Sequence, residues 1–297
     1  MAKVRWLVVL LLSALLVLQD RPDPAPPHQA EWLSAGSLEL RTVRAGQGDT
    51  TLFLLHGYGE SLLAFRALFD QLATKYRVVA VDLPGFGVSD KPEGPYDHET
   101  MAATLWTFLD QHIRGDVVVV GHSLGGQLAV DLAINHPDRV VALVLIAPAG
   151  YGLSSWHSAL TGRPGRFFGW ANVPIAYLLP IHAPDWLGEP EEWRDYDPLV
   201  DPAFRASATK VLREFDFAAL GSRFRELRQP TLLIWGRLDP TIPFSTGQSI
   251  AGLVPCNRFV GFDRTLHRPH QTEPDSVFRS IVGFLAHPPV CPAAQNP

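Results

Sequence analysis

The chain holds little cysteine and little methionine, two of each among 297 residues. Two cysteines cannot build a cysteine-based structural zinc site. Basic charge is not in surplus either. Lys and Arg number 25 against 30 Asp and Glu, a formal net charge of −5. Nothing in that balance grips a phosphate backbone, which argues against a nucleic-acid partner. Long runs of like charge and internal repeats are missing as well. So are the H-E-x-x-H zinc helix and the G-x-x-x-x-G-K-[ST] phosphate loop. Gly85-Phe86-Gly87 leads to Asp90 where a third glycine would be needed, so it is no dinucleotide fingerprint. The sequence predicts neither a metal nor a cofactor.

What is present reads as a folded enzyme-sized chain. Hydrophobic residues make up 46% and charged residues 19%, which excludes disorder and coiled coil over most of the length. The length suits one large α/β domain or two small ones. Proline is in excess, with 26 residues, and it marks turns and the two tails. Lys3 and Arg5 precede an apolar run over residues 6–18, broken only by Ser13, and a Pro-rich stretch follows. This predicts an export signal or N-terminal membrane anchor over residues 1–20 and a linker over 21–35. The run is short of the about 20 residues that a spanning helix needs, and no small-x-small cleavage site ends it. The expected location is therefore outside the cytoplasm or at a membrane, held by the N-terminus. Residues 288–297 form a second Pro-rich tail. Cys291 in that tail and Cys256 before a late strand either pair or remain free thiols; spacing leaves both open.

Between the ends, short β-rich runs alternate with helical stretches. Residues 51–55, 77–83, 117–120, 140–146, 231–235 and 257–262 are apolar without alternation, as strands covered on both faces are. Residues 61–74, 99–113 and 124–135 carry apolar positions at helical spacing. Residues 37–44 alternate more and predict an antiparallel edge hairpin. The implied fold class is α/β: a mostly parallel central sheet with helices on both faces. The alternation stops over residues 151–228, a stretch without strands and rich in aromatics. It reads as a helical cap inserted late in the sheet order, dividing the core into 36–150 and 229–287. Trp170, Trp186 and Trp193 in the cap are candidates to shape an apolar pocket.

The strongest chemical signal is Gly121-His122-Ser123-Leu124-Gly125, with a buried strand before it and an amphipathic helix after it. A strand that turns into a helix within so few residues forces its middle residue into a strained conformation. The flanking glycines remove side-chain clashes. The Ser123 hydroxyl then projects at the strand's carboxyl end, above the positive end of a helix.

Four blocks in order resemble the α/β-hydrolase family, in its capped serine-hydrolase branch. They are His56-Gly57-Tyr58-Gly59, Asp82-Leu83-Pro84-Gly85-Phe86-Gly87 with Ser89-Asp90, Gly121 to Gly126, and Trp235-Gly236-Arg237-Leu238-Asp239. The resemblance implies Ser123 as nucleophile, Asp239 as the triad acid, and a histidine after the last strand as base. It implies an oxyanion hole from the N–H groups of Tyr58 and Leu124. His56 is expected to be structural. No carboxylate follows the strand before the cap, so Asp239 has no rival there. Two histidines compete for the base. The family places a proline seven residues after it, and Pro274 is seven past His267 but four past His270. His267 is therefore the expected base, although the family's acidic slot holds Thr272 and its preceding glycine is Leu266. His270 is expected at the surface or at a helix entry.

The expected activity is hydrolysis of a small or medium carboxylic ester through an acyl-enzyme, with a small-molecule ester as partner. On the same triad, a carbon–carbon bond hydrolase or a cofactor-free perhydrolase is the alternative. A non-catalytic ligand-binding protein can share the fold.

Overall fold

The computed structural model describes residues 28–151 and 202–291. Eight strands form one sheet in the order β1-β2-β4-β3-β5-β6-β7-β8. They are β1 (Ala30–Ala35), β2 (Leu38–Ala45), β3 (Thr51–Leu55), β4 (Arg77–Val81), β5 (Val117–His122), β6 (Val140–Ile146), β7 (Thr231–Gly236) and β8 (Asn257–Phe262). β1 and β2 form an antiparallel hairpin, and β2 also runs antiparallel to β4. All remaining pairs are parallel. The helices are α1 (Arg66–Ala73), α2 (His98–His112), α3 (Ser123–Asn135), α4 (Pro202–Glu214), α5 (Phe244–Leu253), α6 (Pro269–Thr272) and α7 (Pro274–Ala286).

The valine run of β5 and the aliphatic runs of β3 and β7 are buried at every position, because helices cover both faces of the sheet. One apolar layer packs Leu105, Phe108, Leu128 and Leu132 of α2 and α3 against Phe53, Val119 and Leu143. The other packs Leu68 and Leu72 of α1 and Val277, Ile281 and Phe284 of α7 against Leu52, Val118 and Val144. β8 departs from the expectation of full coverage. Each of its residues is half-buried, as suits an edge strand. After β3 the chain moves to one side to form β4, then returns past β3 to form β5. The sheet order thus reverses at the carboxyl ends of β3 and β5, which opens a crevice there.

Two expectations for the ends need correcting. The linker does not extend to residue 35: Ala30–Ala35 is a strand, since its backbone pairs residue by residue with Leu38–Val43. The expectation of export or membrane attachment also fails. No helix among the described residues is long and apolar enough to cross a membrane. The run over 6–18, which lies outside them, is itself shorter than a span. At the other end the open question of the cysteines is settled. Cys256, just before β8, is disulfide-bonded to Cys291, with Cα atoms 5.0 Å apart, so the tail is tied to the sheet edge. The described part of the expected cap, residues 202–228, is helical: α4 is followed by a 3₁₀ turn at Gly221–Glu226. Trp170, Trp186 and Trp193 lie outside the described residues.

Candidate active site

The elbow takes the form that its glycines require. β5 ends at His122 and α3 begins at Ser123, whose φ is +51°, a left-handed conformation that non-glycine residues rarely adopt. A side chain at Gly121 would run into the backbone of Gly125 and Gly126. One at Gly125 would run into the carbonyl oxygens of Leu55 and His56. The glycines therefore let α3 start hard against the end of β3, where Gly125 N–H donates to the His56 carbonyl at 3.1 Å. Leu124 is buried in the first turn of α3, where backbone N–H groups have no partner within the helix.

The loop after β3 supplies the other side of the crevice. His56 is buried. Its Nδ1–H donates to the Gly57 carbonyl at 2.8 Å and its Nε2 accepts from Leu83 N–H at 2.9 Å. Burial lowers its pKa, against the raising effect of Asp82, so the ring is neutral. This is the expected structural role. The neighbouring loop is organised by Asp82. Its carboxylate takes Arg41 at 2.7 Å and the N–H groups of Leu62 and Val88 at 2.7 and 2.9 Å. Gly87, at φ +51°, leaves the room that this carboxylate occupies. The D-x-P-G-x-G-x-S block is thus a brace between loops. The Tyr58 hydroxyl donates to the Ala208 carbonyl of α4 at 3.1 Å, and its ring meets Phe86 and Phe217 edge-on. Burial raises the Tyr58 pKa, so the phenol stays protonated.

Asp239 and His267 come together from the loops after β7 and β8. His267 Nδ1–H donates to Asp239 Oδ2 at 2.7 Å, with both residues buried. Asp239 Oδ1 accepts from Thr241 and Ile242 N–H at 2.8 and 2.9 Å, which aims the other oxygen at the ring. The two loops touch through their backbones. Leu238 N–H donates to the Thr265 carbonyl at 3.1 Å, and a side chain at Gly236 would strike the carbonyls of Thr265 and Leu266. With its proton on Nδ1, the neutral ring keeps a lone pair on Nε2. The His267 ring centroid lies 4.8 Å from that of His122, the residue immediately before Ser123.

The structure adds residues that sequence reasoning missed. Glu60 is buried five residues past β3. It accepts from Gly57 N–H at 2.7 Å and from His122 Nδ1 at 2.9 Å, and it pairs with Arg268 at 2.7 Å. Burial alone would raise its pKa, but Arg268 and His122 overcome this and hold it well below the usual carboxylate range. The only sequence signal was a carboxylate close behind the His56-Gly57 pair. His270 lies in α6, at a helix entry as expected, but it is fully buried and not at the surface. Its ring packs against Phe65 at 5.2 Å and His122 at 4.5 Å. Burial, then the charge of His122, pushes its pKa well down, so it is neutral.

Comparison with known proteins identifies the fold. The sequence profile described as "alpha/beta hydrolase fold" matches residues 50–274. The chain belongs to the α/β-hydrolase fold family. It is an enzyme of that family, whose relatives are named as hydrolases and esterases. It is 27% identical over 266 residues to the pimeloyl-[acyl-carrier protein] methyl ester esterase of Vibrio vulnificus, covering 84% of this chain and 98% of that one. It is 26% identical over 248 residues to the uncharacterized hydrolase YugF of Bacillus subtilis, covering 80% and 90%. Among solved structures, the meta-cleavage product hydrolase CumD of Pseudomonas fluorescens IP01 superposes with a TM-score of 0.70. It is 26% identical and covers 87% of this chain and 97% of its own.

Proposed function

We propose that this α/β-hydrolase is a serine esterase acting on a small or medium carboxylic ester through an acyl-enzyme. The observation that carries the reading is the 2.7 Å His267–Asp239 pair, set beside the elbow on which Ser123 is held at positive φ. Ser123 Oγ attacks the ester carbonyl carbon while its proton passes to His267 Nε2. Asp239 stabilises the resulting imidazolium. The N–H groups of Tyr58 and Leu124 receive the oxyanion of the tetrahedral intermediate. The intermediate expels the alcohol, which takes the proton from His267. Water then repeats the sequence on the acyl group, releasing the carboxylic acid and restoring Ser123.

Residues 151–228 act as the cap that selects the acyl and alcohol groups. Supporting this, α4 is pinned over the crevice: Ser207 donates to the Gly85 carbonyl at 2.6 Å, and Tyr58 reaches Ala208. The half-buried Tyr58 and Phe217 present aromatic surface there, which suits an apolar acyl chain. The likeness to a meta-cleavage product hydrolase favours carbon–carbon bond hydrolysis on the same triad as the second reading. A spectrophotometric screen of acyl esters from two to twelve carbons beside a ring-fission dienoate separates the two. The esterase reading expects turnover of at least one ester, abolished in Ser123→Ala. Cleavage of the dienoate with no ester turned over would overturn it in favour of the second reading.

A further inference from the structure

His122 stands between two acceptors. Its Nδ1 is 2.9 Å from Glu60 Oε2, and its Nε2 is 3.1 Å from the backbone carbonyl oxygen of His267. A carbonyl oxygen only accepts. Glu60 is ionised, because its other oxygen carries the 2.7 Å pair with Arg268 and Oε2 also takes Gly57 N–H. Both contacts are hydrogen bonds together only if the ring carries a proton on each nitrogen. A neutral His122 with Nδ1–H toward Glu60 would turn an Nε2 lone pair on the His267 carbonyl.

We propose that Glu60 and His122 are positioning residues for the proposed base. Glu60 holds His122 as an imidazolium, whose Nε2–H clamps the His267 carbonyl and fixes the His267 loop against the strand that carries Ser123. The inference rests on the esterase reading of the site. The groups facing His122 from the packed elements are Glu60 after β3, and His267, Arg268 and His270 after β8. Burial, with His267 and Arg268, lowers the His122 pKa against the raising effect of Glu60. The two hydrogen-bond contacts, to a carboxylate and to a carbonyl oxygen, are what favour the doubly protonated ring. His270 fits the arrangement. Its two ring nitrogens have no hydrogen-bond partner among the described residues, so it offers a neutral aromatic ring 4.5 Å from the charged one. The clamp explains why a glutamate and three histidines are buried together beside Arg268 at this corner of a hydrolase fold, with only His267 in a catalytic step.

The clamp makes a prediction that a merely space-filling role does not. The proposed positive charge on His122 lies 4.8 Å from the His267 ring. Removing that charge in His122→Gln should move the acid limb of the kcat/KM profile to higher pH. With an effective dielectric constant between that of water and about 20, the shift is about 0.6 to 2.5 pH units. A packing role would lower the rate by the same factor at every pH and leave the limb in place, which would overturn the proposal. A second measurement uses the unaltered protein and needs no folded variant. Nitrogen-15 histidine spectra at the pH of maximal turnover should show both His122 nitrogens protonated, and Glu60→Gln should remove one proton. A neutral His122 in an active parent enzyme would also overturn the clamp. A parent that turns over no ester, with His122 doubly protonated, would instead count against the esterase reading alone.

Discussion

Replacing Asp239 by Asn tests the orientation of the base through a single proton. The carboxylate has two jobs, divided between its oxygens. Oδ1 accepts from Thr241 and Ile242 N–H, and Oδ2 accepts from His267 Nδ1–H. In Asp239→Asn the two backbone donors keep the amide oxygen in the Oδ1 position. The amide nitrogen must then stand where Oδ2 was and point a hydrogen at His267 Nδ1. The ring can accept it only by moving its own proton to Nε2, the atom that has to receive the proton of Ser123. The fold loses little, about 1 to 2 kcal/mol, because each hydrogen bond finds a partner again. Turnover should fall by about 10⁴, the cost known for a wrong imidazole tautomer in another triad enzyme. That is about 5.4 kcal/mol of barrier, at about 1.36 kcal/mol per factor of ten. Initial rates on p-nitrophenyl butyrate, with thermal unfolding to verify the fold, give both numbers. A folded variant within tenfold of the parent would refute the assigned proton and Asp239 as its keeper.

Further outcomes follow from the same geometry. His267→Ala should lower turnover by about 10⁴ on a p-nitrophenyl ester, since His267 is the ring paired with Asp239; a loss under tenfold would move the base elsewhere. His270 is held neutral in the fold, so below about pH 6.5 the unfolded chain takes up a proton that the folded chain refuses. Stability should fall with pH there by about 1.4 kcal/mol per unit for this group. His270→Phe should flatten the unfolding free energy between pH 6.5 and 5, and an unchanged slope would show that the ring is not buried neutral. The Cys256–Cys291 bond closes a loop with a sequence separation of 35. Cys291→Ser should therefore cost about 2 to 4 kcal/mol in urea unfolding under non-reducing conditions, and no loss would mean that the bond does not form in solution.

Much of the architecture was legible because it rests on local pattern. Unbroken aliphatic runs such as Val117 to Val120 announce strands covered on both faces, and Leu128 and Leu132 announce the helix that follows. The elbow was legible for a different reason: Gly121 and Gly125 stand where side chains would strike backbone, so the motif records a steric demand. The hairpin was half legible. Its second strand alternates, but Ala30–Ala35 carries exposed Trp32 and follows a proline-rich stretch, which disguised its pairing. The pairing of Asp239 with His267 was anticipated through the family resemblance, which sets the histidine seven residues before Pro274 and the aspartate just past the end of β7. The corner formed by Glu60, His122, Arg268 and His270 was not. Its members come from three separate stretches of chain, after β3, at the end of β5 and after β8, and only the fold brings them within hydrogen-bonding and ring-packing distance. A buried histidine without polar partners among the described residues, such as His270, looks in sequence like any loop histidine. The disulfide likewise depends on where the tail returns.

The central claim is that Ser123 is the nucleophile of an acyl-transfer site. Its most direct test is reaction of the folded protein with a fluorophosphonate, followed by peptide mass spectrometry. A single adduct on Ser123, absent from Ser123→Ala and much slower to form in Asp239→Asn, is the predicted result. An adduct on another residue, or none on folded protein that hydrolyses esters, would contradict the account.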